Sequence, residues 1–273
     1  MRADLHIHSS ASDGTLSPSS LVELAARNGV DVIALADHDS VSGVHEALRA
    51  AVPLGVTVIP AVELSAASGD LSIHILGYFV DVDDAQLVQR LDELRVARLR
   101  RAESIVAALR ASGYDISIDD VLELSQGGAV GRTHVARTLV TSGHASSVSD
   151  AFERLVGRGK PFYRPKDLMT PRDAVTLITG AGGLAVLAHP GVSGTEDLIG
   201  ELVGYGLAGV EAYHVDHTPE QRVRLAETAA RLGLLVTGGT DYHSPDAPHP
   251  DLGELDFPEA DVRAFLAAGA SAR

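Results

Sequence analysis

The chain of 273 residues contains no cysteine and no tryptophan, and aromatic residues make up only 4% of it. The absence of cysteine excludes disulfides, thiolate metal ligands and cysteine nucleophiles, although it does not identify the redox compartment. Hydrophobic residues still reach 45% of the chain. A chain of this length can bury a full core, and its composition favours layers of helix and strand over an aromatic-rich sandwich.

Long hydrophobic runs are also missing. No stretch of about 18 apolar residues occurs that could span a membrane. Asp4, His6 and His8 interrupt the N-terminal segment, where a secretory leader would be apolar. We therefore expect a soluble, cytoplasmic protein that has no membrane partner.

Positive charge is scarce, since the formal net charge is −15 at pH 7. This balance argues against binding long duplex nucleic acid, because contacts to phosphates require local cations. Several of the cations lie close together in one basic segment: Arg154, Arg158, Lys160, Arg164, Lys166 and Arg172. The sequence leaves open whether this segment is a solvated face or faces a phosphate.

Short apolar runs alternate with helical patterns along most of the chain. Residues 3–8, 30–36, 56–62, 71–78, 183–188, 209–213 and 234–240 are interpreted as strands. About seven parallel strands that carry polar residues at their carboxyl ends predict a (β/α) barrel with its active face at that end. A doubly wound open sheet is the alternative, but such a sheet gathers its site at one switch point.

The alternation stops in the middle of the chain, where apolar residues recur only at helical spacing. Helices are predicted over 118–125, 133–142 and 149–155, after a longer helical pattern that is rich in arginine. We interpret residues 83–164 as an all-helical insertion, and residues 1–82 and 165–273 as the barrel that it interrupts.

Histidines are concentrated at the predicted strands. Seven of the twelve lie in or just after a strand: His6, His8, His38, His74, His189, His214 and His243. With Asp13, Glu63 and Asp241 they exceed the roughly four to six ligands that one transition ion takes. The surplus predicts a multinuclear site, which typically hydrolyses bonds at phosphorus. Any single histidine can instead be satisfied by hydrogen bonds, and His45, His144 and His249 are interpreted as surface residues.

Six short motifs follow one another along the chain. They are His6-Ile-His8 with Asp13-Gly14, Asp37-His38-Asp39, Glu63-Leu-Ser65, His74 before Ile-Leu-Gly-Tyr, Ala188-His189-Pro190, and Gly239-Thr-Asp241-Tyr-His243. Together they resemble the PHP (polymerase and histidinol phosphatase) family of metallophosphoesterases. The resemblance implies a distorted, TIM-like (β/α)7 barrel that binds two to three divalent metal ions, most often Mn²⁺ and sometimes Fe²⁺ or Zn²⁺.

The resemblance also implies an assignment of ligands. His6, His8, Glu63 and Asp241 would hold one metal; Glu63 would bridge to a second held by His74 and His189; Asp13, His38 and His243 would hold a third. This complete ligand set argues against a non-catalytic metal-binding module, which is the alternative from another functional class.

Two motifs in the insertion resemble the branch of the family that acts on small nucleotides: Gly131-Arg132-Thr133-His134 and Gly157-Arg158-Gly159-Lys160-Pro161. The implied activity is removal of phosphate from a nucleoside 3′,5′-bisphosphate. Alternatives are 5′–3′ cleavage of short 5′-phosphorylated RNA and hydrolysis of AMP or histidinol phosphate. The hypothetical mechanism is in-line attack on phosphorus by a hydroxide that bridges two metals. His214 or His217 is predicted as the general acid, although either can contact substrate without transferring a proton.

Arg132 and His134 lie at the start of a predicted helix, where backbone donors and a guanidinium can hold a phosphate together. We therefore predict that they bind the second phosphate of the substrate, and that Lys160 and Arg164 add a further wall to this pocket. The alternative for Arg132 is an ion pair with a neighbouring carboxylate.

Overall fold

A computed structural model describes residues 1–69, 71–125, 127–165, 168–246 and 250–271. Lys166 of the basic segment and the predicted surface residue His249 lie outside the described residues. Within these ranges, seven strands form one sheet in chain order: β1 (Ala3–Ile7), β2 (Val32–Leu35), β3 (Thr57–Ser68), β4 (Leu71–Tyr78), β5 (Leu184–Leu187), β6 (Gly209–His214) and β7 (Leu235–Gly239). Each of them overlaps one of the predicted strands.

The helices alternate with the strands, except that β3 is followed directly by β4 and that several helices lie between β4 and β5. The α-helices are α1 (Pro18–Arg27), α2 (Val44–Ala51), α3 (Ala85–Ala111), α4 (Ile118–Ser125), α5 (Arg132–Thr141), α6 (Val148–Ala151), α7 (Pro171–Gly180), α8 (Pro190–Ser193), α9 (Ile199–Val203), α10 (Pro219–Leu232) and α11 (Glu259–Ser271). Short 3₁₀ turns occupy Val52–Leu54 and Glu196–Leu198, and a π-helical turn occupies Phe152–Val156. Among the described residues, no helix combines the length and the apolar character needed to cross a membrane.

One strand departs from the predicted parallel arrangement. β4 pairs antiparallel with both β3 and β5, whereas the other neighbouring strands pair parallel. β3 also continues past its predicted end, so that Glu63 lies inside the strand and Ser65 pairs with His74 of β4. Because β3 ends at Ser68 and β4 begins at Leu71, the connection is too short for the crossover that parallel strands need. The prediction of seven parallel strands is therefore wrong for β4.

The sheet closes almost completely where β1 meets β7. Ile7 forms a parallel bridge with Tyr242, and the backbone N–H of His8 donates to the Tyr242 carbonyl at 2.9 Å. Gly239 permits this approach, because a Cβ atom at that position would lie 2.3 Å from the Cβ of His6. The nearly closed barrel confirms the predicted architecture and excludes the open doubly wound sheet.

The long helix α3 belongs to two apolar clusters. Its first half places Leu87, Leu91 and Leu94 in the same cluster as α7 and the barrel strands. From Ala102 onward, α3 packs with α4, α5 and α6 in a separate cluster that extends to Val156. This helical segment adjoins the barrel, but its boundaries at 83 and 164 stay a prediction.

Candidate metal centre

The structure brings the nine predicted metal ligands together at one end of the barrel. Ring centroids lie 4.7 Å apart for His8 and His38, and 5.2 Å apart for His74 and His189. The carboxylates lie between the rings. The convergent set is His6, His8, Asp13, His38, Glu63, His74, His189, Asp241 and His243.

The buried carboxylate of Glu63 lies at the centre of this set. Its surrounding imidazole nitrogens are His6 Nε2 and His8 Nε2, each 3.4 Å from Oε2; His38 Nδ1, 2.8 Å from Oε2; His74 Nδ1, 2.7 Å from Oε1; and His189 Nε2, 3.2 Å from Oε1. Burial raises the pKa of Glu63, but His38 and His74 hold it well below its ordinary value. The carboxylate is therefore ionised and can share its two oxygens between neighbouring cations.

Asp241 and Asp13 supply further carboxylate oxygens near His8 and His243. His8 Nε2 lies 3.0 Å from Asp241 Oδ1, and its ring stacks on that of His243 with centroids 4.2 Å apart. His243 Nε2 in turn lies 3.3 Å from Asp13 Oδ1. Burial raises the pKa of each acid, but His243 holds that of Asp13, and His6 that of Asp241, well below the ordinary value. Both acids are thus available as anionic ligands.

Four groups of side chains present ligand atoms within 4.8 Å of one another. They are His6, His8 and Asp241; His8, Asp13, His38 and His243; His38, Glu63 and His74; and His6, Glu211 and His214. The first two resemble predicted sets, except that His8 also joins the second. In the third, His38 takes the place predicted for His189. The assignment of individual ligands to individual metals therefore stays a prediction.

Unpaired buried atoms test whether these residues fit metal ions. Those without a hydrogen-bond partner among the described residues include His6 Nε2, both ring nitrogens of His8, His38 Nδ1, His189 Nδ1 and Glu63 Oε2. Leaving such an atom unpaired costs about 1–3 kcal/mol. Burial lowers the pKa of His8 and of His74 to about 4, so both rings are neutral at pH 7, as coordination requires. The imidazole and carboxylate donors fit a divalent transition ion.

Backbone strain is concentrated at the same end of the barrel. Asp39, His189 and Asp241 have φ angles of 51°, 30° and 51°, in the left-handed region that L-residues rarely adopt. Such conformations cost on the order of 1–3 kcal/mol each and persist where neighbours hold them. The Asp39 carboxylate accepts from the Ser65 N–H at 2.8 Å, and the His189 N–H donates to Glu211 at 2.8 Å.

Two buried carboxylates that were not predicted as site residues form hydrogen bonds that position the predicted ligands. Asp37 accepts hydrogen bonds from Ser9 N–H, Ser9 Oγ and Ser12 Oγ at 2.6–2.8 Å, and so fixes the loop after β1. Glu211 of β6 lies 2.9 Å from Nδ1 of His6. The signal that could have identified Glu211 is an acidic residue inside an apolar strand.

The two candidate general acids have different surroundings. His214 Nε2 is buried without a hydrogen-bond partner, 3.7 Å from Asp241 Oδ2, and its Nδ1 accepts from the Asp216 N–H. His217 has backbone partners at both ring nitrogens: Nδ1 donates to a carbonyl of β6 at 3.0 Å, and Nε2 accepts from an N–H of α8 at 3.1 Å. The structure therefore leaves His217 no free ring nitrogen for a substrate.

Arg101 of α3 and Arg132 of α5 lie over the same ring, that of Tyr163; together with Arg164, whose backbone carbonyl contacts Arg101, we call them the arginine cluster. The Arg132 guanidinium lies 5.4 Å from the ring centroid of Phe152 and 5.3 Å from that of Tyr163. Arg101 Nε donates to the Arg164 carbonyl, and its Nη2 is buried without a partner. Burial, reinforced by Arg132, lowers the pKa of Arg101 to about 10. Neither Arg101 nor Arg132 pairs with a carboxylate of the described residues.

His134 and Lys160, two predicted phosphate ligands, lie outside this arrangement. His134 is buried, and its Nδ1 accepts the Gly131 N–H at 3.0 Å, so that it caps its own helix, α5. We therefore assign His134 a structural role in place of the predicted phosphate contact. Lys160 is exposed after the π-helical turn, and its phosphate contact stays a prediction. Arg101 was not predicted as a phosphate ligand, because the sequence does not distinguish it from the other arginines of α3.

Two contacts join the helical segment to the end of the barrel that carries the predicted metal ligands. Thr133 Oγ1 donates to Asp13 Oδ2 at 3.3 Å, and Arg132 is the preceding residue. Arg98 of α3 donates from Nε to the buried carboxylate of Asp39 at 2.8 Å. These contacts hold α5 and α3 against the end of the barrel that carries the predicted metal ligands.

Comparison with known proteins gives a consistent result. The family model described as the PHP domain matches residues 4–153. The chain is 35% identical over 259 residues to a 3′,5′-nucleoside bisphosphate phosphatase of Chromobacterium violaceum, covering 93% of the chain and 91% of that protein. It is 34% identical over 257 residues to the 5′-3′ exoribonuclease Rnm of Escherichia coli, covering 92% and 87%.

The fold is also similar to a solved structure from Bifidobacterium adolescentis, described as a metal-dependent phosphoesterase. The TM-score is 0.90 at 34% sequence identity, and the match covers 97% of this chain and 95% of that one. The likeness therefore includes the helical segment as well as the barrel.

Proposed function

Because the chain belongs to the PHP domain family, and is thus a metal-dependent enzyme that hydrolyses phosphoester bonds, we propose that it removes phosphate from a nucleoside 3′,5′-bisphosphate. The bisphosphate phosphatase of Chromobacterium violaceum supports this class of substrate at 35% identity. The partner is a small nucleotide, and a net charge of −15 disfavours a long duplex.

The nine convergent side chains would hold two to three divalent ions in this proposal, with Mn²⁺ the first candidate and Fe²⁺ or Zn²⁺ the others. When bound, such ions stabilise the charge that develops on phosphoryl oxygens and make water more acidic. The residues of the chain preorganise this centre. Glu63 and Asp241 stay ionised, and Asp37 fixes the loop that carries Asp13.

The arginine cluster is the single observation that favours a bisphosphate over a monophosphate. Two of its guanidiniums, those of Arg101 and Arg132, have no carboxylate partner among the described residues, and the buried Nη2 of Arg101 has no hydrogen-bond partner among them either. Guanidinium groups in this state suit a phosphate, which accepts several charge-assisted hydrogen bonds. One phosphate would thus lie at the metal centre and the second at the arginine cluster.

His214 would act at the leaving oxygen. The Asp216 N–H donates to Nδ1, so the neutral ring carries its proton at Nε2. That nitrogen faces Asp241 and has no other partner. The Nε2 proton can therefore stabilise the oxygen that departs from phosphorus.

Short 5′-phosphorylated RNA is the second candidate substrate. The relative named exoribonuclease Rnm supports it at 34% identity. The arginine cluster would then hold the terminal 5′-phosphate, while hydrolysis of the neighbouring diester takes place at the metal centre. The same two binding elements serve either substrate.

The experiment uses the Mn²⁺-loaded protein and measures phosphate release from adenosine 3′,5′-bisphosphate, the adenosine 3′- and 5′-monophosphates and histidinol phosphate, and mononucleotide release from a 5′-phosphorylated trinucleotide. We expect the highest kcat/KM for the bisphosphate or the trinucleotide. The variant Arg132→Ala should lower that value by about 10- to 100-fold, since a charge-assisted contact is lost. The kcat/KM of this variant for the adenosine monophosphates should change little.

The matched control is Arg263→Ala, which removes an exposed arginine that pairs with Glu259. It should leave kcat/KM unchanged for every substrate. Equal losses for all substrates in Arg132→Ala would contradict the second-phosphate role. A preference for histidinol phosphate would overturn the nucleotide assignment.

A further inference from the structure

Glu211 is a buried acid in the wall of the barrel that uses both oxygens of its carboxylate. Oε1 lies 2.9 Å from Nδ1 of His6, and Oε2 accepts the backbone N–H of His189 at 2.8 Å. The side chain is fully buried on β6, between the strand that carries His6 and the turn that carries His189. One carboxylate thus touches two of the predicted metal ligands.

The contact to His6 decides which ring nitrogen is free. A carboxylate accepts but does not donate, so the hydrogen bond keeps a proton on Nδ1. In the neutral ring, Nε2 is then the unprotonated nitrogen. It is buried without a hydrogen-bond partner, 3.4 Å from Glu63 Oε2 and 3.5 Å from Asp241 Oδ1. His6 therefore presents a lone pair to the metal centre only while an acceptor lies behind it.

The contact to His189 fixes a strained turn. His189 has a φ angle of 30°, and its backbone N–H points to Glu211 Oε2. This conformation directs the imidazole so that Nε2 lies 3.2 Å from Glu63 Oε1. Because a left-handed conformation is unfavourable for histidine, a strong acceptor at its N–H helps to keep it.

We propose that Glu211 is a positioning residue that sets the affinity of the centre for a divalent ion, by fixing the tautomer of His6 and the turn at His189. The inference rests on the metal centre of the proposed function. It assigns Glu211 a role behind the ligands, where it touches neither substrate nor reacting atoms.

The test is the variant Glu211→Gln, which keeps the volume of the side chain. An amide has one oxygen and one NH₂ group, so it cannot place an acceptor at the positions of both Oε1 and Oε2, and either His6 Nδ1–H or His189 N–H loses its acceptor. We expect Zn²⁺ affinity, measured by competition with a chromophoric chelator, to fall about 10- to 100-fold. The matched control is Tyr78→Phe, which removes a buried hydrogen bond to the Leu5 carbonyl in the same barrel. It should keep Zn²⁺ affinity within about twofold, below the range of ligand-supporting contacts.

A second measurement tests the tautomer of His6 directly in the wild-type protein. Side-chain ¹⁵N spectra of the Zn²⁺-loaded wild-type protein show which nitrogen of each histidine carries a proton. We expect His6 to carry it on Nδ1, and Glu211→Gln to lose that signal. A wild-type His6 protonated on Nε2, or unchanged Zn²⁺ affinity in Glu211→Gln, would overturn the positioning role.

These outcomes are separate from failure of the proposed function. A wild-type protein that binds Zn²⁺ tightly but hydrolyses none of the phosphoesters would reject the substrate assignment and leave the role of Glu211 standing. A wild-type protein that hydrolyses the bisphosphate while Glu211→Gln keeps its metal would reject only the positioning role.

Discussion

Gly239 is the residue that lets β7 approach β1 at the metal centre. A Cβ atom there would lie 2.3 Å from the Cβ and 2.5 Å from the backbone nitrogen of His6. Gly239→Ala must therefore displace His6, and we expect the free energy of unfolding to fall by about 2–3 kcal/mol, the range found for overpacked cores. Urea denaturation monitored by circular dichroism measures it.

The control for this prediction is Gly180→Ala at the end of α7, where an added Cβ atom would have no neighbour within 4 Å. It should leave stability unchanged or raise it by up to about 1 kcal/mol, since alanine is the better helix former. If both variants lose the same free energy of unfolding, the close approach of β7 to His6 is not the cause of the loss in Gly239→Ala.

His214 and His217 differ in a way that kinetics can resolve. Replacing His214 with Asn should lower kcat about 100-fold for a nucleotide, whose alkoxide leaving group needs a proton, but much less for p-nitrophenyl phosphate. His217→Gln should affect both substrates equally, since that ring only holds backbone groups. Phosphate release at saturating substrate measures both. A loss for His214→Asn that is the same with both substrates would argue against a role at the leaving oxygen.

Sequence patterns predict the ligands more easily than the residues that support them. His6 and His8 alternate on one strand and are followed by Asp13, a spacing that indicates coordination. Glu211 occupies the middle of a strand, and besides the hydrogen bond from His189 its role depends on a contact with His6, 205 residues away. That contact arises from the curvature of the barrel, which local periodicity does not encode.

At the scale of single elements, the start of α5 shows how one position can favour two roles. A histidine in the first turn of a helix can bind an anion or cap the helix, and the sequence is compatible with both. Burial decides between them, since His134 is 1% exposed and its Nδ1 accepts the Gly131 N–H. The direction of a strand is likewise not predicted by local sequence, because periodicity identifies β4 as a strand but does not show that it is antiparallel.

The cap predicts a dependence of stability on pH. Burial lowers the pKa of His134 to about 4, whereas an unfolded histidine titrates near 6.5. Between these values the unfolded chain binds the extra proton, so His134 reduces stability progressively as the pH falls from about 6.5 to about 4. The total loss is about 3 kcal/mol. His134→Gln should remove this part of the acid destabilisation, because glutamine at the same position can accept the Gly131 N–H without titrating.

Unfolding free energies at several pH values between 7 and 4 measure the effect as a difference between wild type and variant, in which the titrations of all other groups cancel. The control is His45→Gln, which replaces an exposed histidine that pairs with Asp83. A difference between wild type and His134→Gln that does not vary with pH would show that the ring does not titrate as its burial implies.

At the scale of the whole molecule, the metal centre and the barrel depend on each other. The nine side chains come from six of the seven strands or the loops that follow them, and β6 contributes Glu211 behind them. The fold class and the convergence of the nine predicted ligands could be predicted from sequence because strand ends converge in any barrel of this kind. The packing of α3 could not be predicted in this way. Its first half packs with the barrel and its second half with the other helices, but both halves show the same helical periodicity.

Since only the closed barrel assembles these ligands, a divalent ion should stabilise the folded protein by mass action. At an Mn²⁺ concentration about 100 times Kd the gain is about 2.7 kcal/mol, which raises Tm by about 5–10 °C for a chain of this size. Thermal unfolding with added Mn²⁺ or EDTA measures the shift. Asp241→Asn should lose most of it, because Asp241 lies next to both His6 and His8. Glu196→Gln, which removes an acid from a surface pair with Arg224, should keep it. Equal Mn²⁺-induced shifts of Tm in the two variants would show that the ion binds elsewhere and does not stabilise the barrel through Asp241.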